Sequence, residues 1–248
     1  MNKVAEVTLW FWVMKICATT LGETAGDLLS MTLGVGYAVS SLLLLTAFLV
    51  SLVIQLRARA FHPALYWTVI LTTSTAGTTI SDYMDRTLGL GYAIGSLLLA
   101  GGLVVILVMW RLAQGSLSVS RIETRRAELF YWIAILCSNT LGTALGDYLA
   151  DSSGLGFLGG ALLIGGCIAL VALAYRFTSL DHVALFWAAF VLTRPFGATF
   201  GDLLTKPLDR GGLAFGTIGS SAILGMILVA CIGYTTQLAR GAARAPSA

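Results

Sequence analysis

Charge is scarce in this chain. Asp, Glu, Lys and Arg make up 11% of 248 residues, against 57% hydrophobic, and the mean hydropathy is +0.88. A soluble domain carries about 25% charged residues, so a soluble fold is excluded and an integral membrane protein is expected. Histidine is scarcer still. His62 and His182 fall at the starts of apolar runs, which leaves no histidine inside the membrane as a metal ligand. The four cysteines, Cys17, Cys137, Cys167 and Cys231, lie inside apolar runs without CxxC spacing and read as small buried hydrophobes. No GxxxxGKS/T, HExxH or GxSxG motif occurs, so no enzyme activity is expected. A cleavable leader is not expected either: the first apolar run is too long and carries Lys15, Glu23 and Asp27. The net charge of +3 gives no argument for nucleic acid, because the basic residues sit in short loops between apolar runs.

The apolar runs fall at 7–31, 35–56, 63–84, 91–111, 128–150, 154–175, 182–204 and 213–238. Each is long enough for a helix of about 20 residues crossing a bilayer. They are apolar all round rather than alternating, which favours helices over a barrel. Eight transmembrane helices follow. Lys3, Arg57, Arg59, Arg111, Arg121, Arg125, Arg126, Arg176, Arg240 and Arg244 fall on one side of the membrane. Arg86, Lys206 and Arg210 fall on the other, mixed with Asp85, Asp151 and Asp209. An excess of Lys and Arg marks the cytoplasmic side, so both termini are placed in the cytoplasm.

The chain repeats itself four times. "TLGETAGD" (20–27) returns as "TAGTTISD" (75–82), "TLGTALGD" (140–147) and "PFGATFGD" (195–202). Fifteen residues before each aspartate stands a tryptophan: Trp12, Trp67, Trp132 and Trp187, each preceded by Phe11, Tyr66, Tyr131 or Phe186. Three copies share an exit, "GVGY", "GLGY" and "GLGF"; the fourth inserts "KPLDRGGLAFG" instead. The aspartates are spaced 55, 65 and 55 residues apart, and the polar linker 114–127 absorbs the longer interval. The organisation is therefore repeat 1 (1–60), repeat 2 (61–113), the linker, repeat 3 (128–178) and repeat 4 (179–248). Each copy holds two spans, so all four share one orientation around an expected pseudo-fourfold axis along the membrane normal.

Residues four apart share a helix face. Stepping back by fours gives Asp27, Glu23, Thr19 and Lys15; then Asp82, Thr78, Ser74; then Asp147, Thr143, Asn139; then Asp202, Ala198, Arg194. Each odd helix thus carries a polar stripe ending in an aspartate. Beside it runs a second stripe of small residues: Gly22 and Gly26, Gly77 and Ser81, Gly142 and Gly146, Gly197 and Gly201. Small residues at this spacing let helices approach closely in lipid. The odd helices are expected to pack by their glycines around a common interior, with the apolar even helices as a lipid-facing ring. At about 1.5 Å per residue each aspartate stands roughly 22 Å beyond its tryptophan. With the tryptophans as anchors at the cytoplasmic interface, the aspartates lie in the outer half of a ~30 Å core.

A charge facing lipid costs about 3 kcal/mol or more, so these carboxylates must face one another, water or a cation. The stripes hold Glu23 and four aspartates against Lys15 and Arg194, a net −3. Hard oxygen ligands suit Mg²⁺, Ca²⁺ or Mn²⁺. Glu23, Asp27, Asp82, Asp147 and Asp202 are the candidate metal ligands, with Thr19, Ser74, Thr78, Asn139 and Thr143 as neutral oxygens. Arg194 would keep the site from over-charging, through a pair with Asp202 or another aspartate. Pro195 is expected to break or kink its helix. The expected function is transport of a divalent cation, Mn²⁺ favoured, possibly proton-coupled export. Two alternatives stay open: a proton-coupled transporter of a small organic solute, and a non-transporting scaffold glued by its polar stripes. The partners are membrane lipid and a small cation or solute, and no cofactor beyond a divalent cation as substrate is expected.

The fourfold T/P-x-G-x-x-x-G/S-D arrangement, running from Trp12 to about Gly225, resembles a family of uncharacterised bacterial inner-membrane proteins. That resemblance implies the eight-helix repeat architecture and no particular activity. "ETAGDLLS" (23–30) also resembles the E-x-G-D signature of cation/proton exchangers in chemistry, although two residues separate Glu23 from Gly26 and no basic residue follows Asp27.

Overall fold

The computed structural model describes residues 3–119, 122 and 124–242, with side chains as far as residue 238. Arg121, Arg244 and the side chain of Arg240 lie outside the described residues, as does part of the linker. The described chain forms eight α-helices: α1 (Leu9–Asp27), α2 (Tyr37–Arg57), α3 (Pro63–Asp82), α4 (Tyr92–Gln114), α5 (Arg125–Asp147), α6 (Gly156–Phe177), α7 (His182–Thr205) and α8 (Thr217–Ala242). Six of them, α2 and α4 to α8, are long and apolar enough to cross a membrane, the make-up of a multi-pass membrane protein. Eight such helices were expected; α1 and α3 fall outside the six on composition. Lys15, Glu23 and Asp27 lie on α1, and seven hydroxyl residues lie between Thr72 and Ser81 on α3.

The odd helices close a ring: α1 packs on α3, α3 on α5, α5 on α7, and α7 back on α1. The small stripe of each helix receives the polar stripe of the next. Gly22 and Gly26 face Ser74 and Thr78; Gly77 faces Asn139; Gly142 faces Arg194; Gly146 faces Ala198; Gly197 and Gly201 face Thr19 and Glu23. The even helices lie outside. They pack chiefly on the odd helix of the following repeat, α2 on α3, α4 on α5, α6 on α7 and α8 on α1. Their remaining faces expose Leu42, Leu97, Val104, Leu162, Leu170 and Val229 among many others. Of the cysteines only Cys17 is buried; the other three are half-buried, and all are free thiols.

In repeats 1 to 3 the odd helix runs past its aspartate into a five-residue π-helical turn, Leu28–Thr32, Tyr83–Thr87 and Tyr148–Ser152. Both glycines of each G-x-G exit have positive φ, from 67° to 81°, which explains the recurring pair. Repeat 4 lacks the π-turn: α7 ends at Thr205, with Lys206 and Pro207 leading into a 3₁₀ turn, Leu208–Arg210. Of the break or kink expected at Pro195, the break is not found, since α7 is continuous through it.

The opposite end of the ring is closed by aromatic side chains. Phe11 packs on Trp67, Tyr66 on Trp132, Tyr131 on Trp187, and Phe186 on both Phe11 and Trp12. Trp67, Trp132 and Trp187 are buried and Trp12 half-buried, so the expectation of lipid-interface anchors is overturned. The tryptophans are an internal plug because the ring needs large side chains where its glycine contacts end. His62 and His182 sit exposed at this end, at the starts of α3 and α7, as expected. Linker residue Ile122 is buried against the plug, and Leu117 O accepts a hydrogen bond from Trp187 Nε1 at 3.0 Å.

The Tyr66 and Tyr131 hydroxyls meet at 2.6 Å in the buried plug. Tyr66→Phe leaves the Tyr131 hydroxyl without its partner and is expected to cost about 1–3 kcal/mol. Thermal unfolding of the detergent-solubilised protein reads this loss, and an unchanged midpoint would show that the pair carries no stability.

Candidate functional site

The polar stripes bring five carboxylates into the ring near the end where the π-turns begin. Glu23, Asp27, Asp82, Asp147 and Asp202 are each at most 3% exposed. Oxygens of Glu23, Asp147 and Asp202 lie within 4.8 Å of one another, close enough to hold one cation. Asp27 and Asp82, expected as ligands of the same ion, stand outside that group, each held by a cation that it shares with one of the three.

Those cations are Arg86 and Lys206. Arg86 spans Asp82 (Nε to Oδ1, 3.0 Å) and Asp147 (Nη2 to Oδ2, 3.1 Å). Lys206 spans Asp202 (Nζ to Oδ1, 3.0 Å) and Asp27 (Nζ to Oδ2, 2.6 Å). Each thus joins the aspartate of its own helix to that of the next repeat. The contacts to Asp82 and Asp202 are close in distance but not aligned as hydrogen bonds; we read them as Coulombic. Burial alone would lower the Lys206 ammonium, but the Asp202 and Asp27 carboxylates outweigh it and hold it above the ordinary lysine range. Arg86 and Lys206, expected as loop charges that mark topology, are therefore site residues as well. Both stand four residues after their aspartates, one helical turn further along the same stripe. Repeats 1 and 3 carry Met31 and Asp151 at that position, so the fourfold sequence repeat becomes two clamped pairs, repeats 2 with 3 and 4 with 1.

One layer deeper lies Arg194, with no exposed surface. Its Nη2 approaches Thr78 Oγ1 at 2.5 Å, Thr143 Oγ1 at 2.7 Å, Glu23 Oε2 at 2.9 Å and Ser74 O at 3.4 Å, touching all three other repeats. That nitrogen carries two hydrogens and faces four acceptors. Nε and Nη1 of the same guanidinium have no hydrogen-bond partner among the described residues, so all of its polar contacts gather on one nitrogen. An aspartate was expected as its partner, but Arg194 pairs with Glu23; it stands two turns below Asp202, in the slot one turn below the glutamate's, so Glu23 is the carboxylate its side chain reaches first.

The net −3 inferred from the stripes also changes. Counting Lys15, Arg86, Arg194 and Lys206, four cations face five carboxylates. Lys15 is fully buried, its Nζ 4.0 Å from the Phe190 ring centroid and without a hydrogen-bond partner among the described residues.

The neutral candidates divide. Thr78, Thr143 and the carbonyl of Ser74 join the Arg194 cage; the Ser74 hydroxyl is buried without a partner. Thr19 and Asn139 do not reach it. Thr19 Oγ1 lies 3.1 Å from Thr193 O across the α1–α7 contact, and Asn139 Nδ2 donates to Thr73 Oγ1 at 2.9 Å across the α3–α5 contact. Both serve the helix contacts.

A described repeat family matches the chain four times, at residues 10–61, 65–116, 130–180 and 185–240, one match to each helix pair. No curated protein and no solved structure matches the chain. With nearly the whole length covered by the four matches, the chain belongs to the family described as Repeat of Unknown Function (DUF347).

Proposed function

We propose that this protein is a cation transporter of a bacterial inner membrane, not an enzyme, with a divalent metal such as Mn²⁺ as substrate. In this reading all eight helices span the bilayer around a pseudo-fourfold axis. The polar α1 and α3 are shielded by the rest of the bundle, and both termini are cytoplasmic. The observation that carries it is the convergence of Glu23, Asp147 and Asp202 within 4.8 Å, each carboxylate also held by a different internal cation: Arg194, Arg86 or Lys206. Hard oxygen donors of this kind suit a divalent ion.

The internal cations supply a physical account of the unloaded state. Like charges this close cannot all stay ionised in a protein interior without compensation. Arg194, Arg86 and Lys206 provide it from within the chain. A divalent ion entering the group competes with them for the same oxygens. Arg86 and Lys206 retain 27% and 17% exposure, so they are the groups that a cation arriving from that end meets first. The buried aromatic plug closes the other end. The arrangement suits a site reached from one side at a time.

The test is calorimetric binding of Mn²⁺, Mg²⁺ and Ca²⁺ to the purified detergent-solubilised protein, beside Glu23→Gln and Asp147→Asn. Saturable binding by the wild type is expected, weakened by about tenfold or more in either variant, as for loss of a charged ligand. Absence of binding to any of the three ions would overturn the metal reading. One observation favours the scaffold alternative: every carboxylate of the group already has a protein cation beside it. That alternative predicts that neutral substitutions leave cellular function unchanged.

A further inference from the structure

At the aromatic end, away from the carboxylates, a cavity of about 360 Å³ opens between the last turn of α2, the first turn of α5 and the N-terminal segment. Lys3, Arg57, Arg59, Arg125 and Glu128 line it with backbone near Ala58. Its charges are unequal. The single carboxylate, Glu128, is 1% exposed and already paired with Lys3 Nζ at 2.5 Å. Gln55, also 1% exposed, holds that pair from below, its Nε2 donating to Lys3 O at 3.2 Å and to Glu128 Oε1 at 3.4 Å. Arg57, Arg59 and Arg125 are exposed, and none has a carboxylate partner among the described residues.

Below the guanidinium groups both helices turn apolar on the same faces. On α2, Val50, Val53 and Ile54 lie three to seven residues before Arg57 and are 45–56% exposed. On α5, Leu129 and Ile133 follow Arg125 by four and eight residues and are 44% and 42% exposed. Residues at these spacings share a helix face. A cationic cavity thus stands directly over two apolar stripes, at the ends of helices made to cross a membrane. The profile matches a molecule with a phosphate at one end and hydrocarbon below it. Arg binds phosphate oxygens through its planar fork, and basic pockets between transmembrane helices take anionic headgroups.

We infer that Arg57, Arg59 and Arg125 form a binding site for the phosphodiester headgroup of an anionic phospholipid, whose acyl chains lie along α2 and α5. The site is independent of the carboxylate group and of any transport. Free phosphate offers the same oxygens without the hydrocarbon, and the apolar stripes decide for the lipid.

The experiment titrates the full-length protein in neutral detergent with phosphatidylglycerol, phosphatidylcholine or inorganic phosphate, following the thermal unfolding midpoint and the lipid retained in native mass spectrometry. Phosphatidylglycerol is expected to raise the midpoint and to be retained, with phosphatidylcholine and inorganic phosphate inert. Arg57→Gln/Arg59→Gln/Arg125→Gln is expected to need about a hundredfold more phosphatidylglycerol for the same shift, and Arg59→Gln alone about fivefold more. The single variant decides should the triple variant fail to fold. An equal response to phosphatidylcholine, a variant that responds like the wild type, or an effect of inorganic phosphate matching that of the lipid would each overturn the assignment.

Discussion

Arg194→Met is expected to be about 3–5 kcal/mol less stable than the wild type, the usual loss when one partner of a buried ion pair is removed. The cost has a definite origin. Glu23 stays behind, 2% exposed, and loses the guanidinium nitrogen 2.9 Å from its Oε2. Thr78 and Thr143 lose the same donor. Removing the glutamate as well, in Glu23→Gln/Arg194→Met, removes the uncompensated charge, so the double variant is expected to recover a large part of the loss. Thermal unfolding of the four proteins in one detergent gives the coupling between the two residues. Arg194→Met as stable as the wild type, or a double variant no better than the single, would show that the pair does not hold the ring together. Arg194→Lys keeps the charge but not the planar fork, and is expected to fall between the two.

The second large effect comes from a single methyl group. A Cβ built on Gly142 lies 2.4 Å from Arg194 Cγ, 2.5 Å from Arg194 Cβ and 2.9 Å from Pro195 Cδ. The proline ring is rigid and Arg194 is held by its cage, so neither neighbour can give way cheaply. Gly142→Ala is expected to force α5 and α7 apart and to cost at least the 1–3 kcal/mol typical of overpacking. Gly101→Ala and Gly166→Ala are the controls. They lie on α4 and α6 with nothing within 4 Å of the added carbon, and helix propensity alone favours alanine there by up to about 1 kcal/mol. The yield and unfolding midpoint of the three variants separate these cases. Equal behaviour of Gly142→Ala and Gly101→Ala would remove the close approach of α5 and α7 from the account of stability.

These two residues also mark the two kinds of information in the chain. The small stripe that contains Gly142 was legible because residues four apart must share a helix face, and the pattern returned in every repeat. Its contact with the polar stripe of the next helix was not, because spacing puts both stripes on each helix without saying which stripe meets which. Arg194 was visible as an exception in the threonine–serine–asparagine slot, yet its partner was not: an aspartate was expected and Glu23 was found. The polar stripe also extends one turn outward from the aspartates of repeats 2 and 4, to Arg86 and Lys206; their place in short polar segments marks them as topological charges, and only the closed ring makes them clamps. The tryptophans misled for a related reason. Fixed spacing located them at one end of the ring, but spacing carries no information on whether an end faces lipid or the interior.

The sequence by itself determined the four copies, the helical periods, the burial of the carboxylates and the identity of the ring-forming helices. All of these follow from local geometry, a rotation of about 100° per residue and the cost of placing charge in hydrocarbon. Only the tertiary structure decided that each even helix packs on the next repeat, that the aromatic residues form a plug, and that Arg86 and Lys206 divide four aspartates into two clamped pairs. Lys206 and Asp27 are 179 residues apart in the chain and 2.6 Å apart in space. Ion pairs form between whatever groups the closed ring brings within reach, so pairing is a property of the ring's closure and of side-chain length, and no period in the chain encodes it.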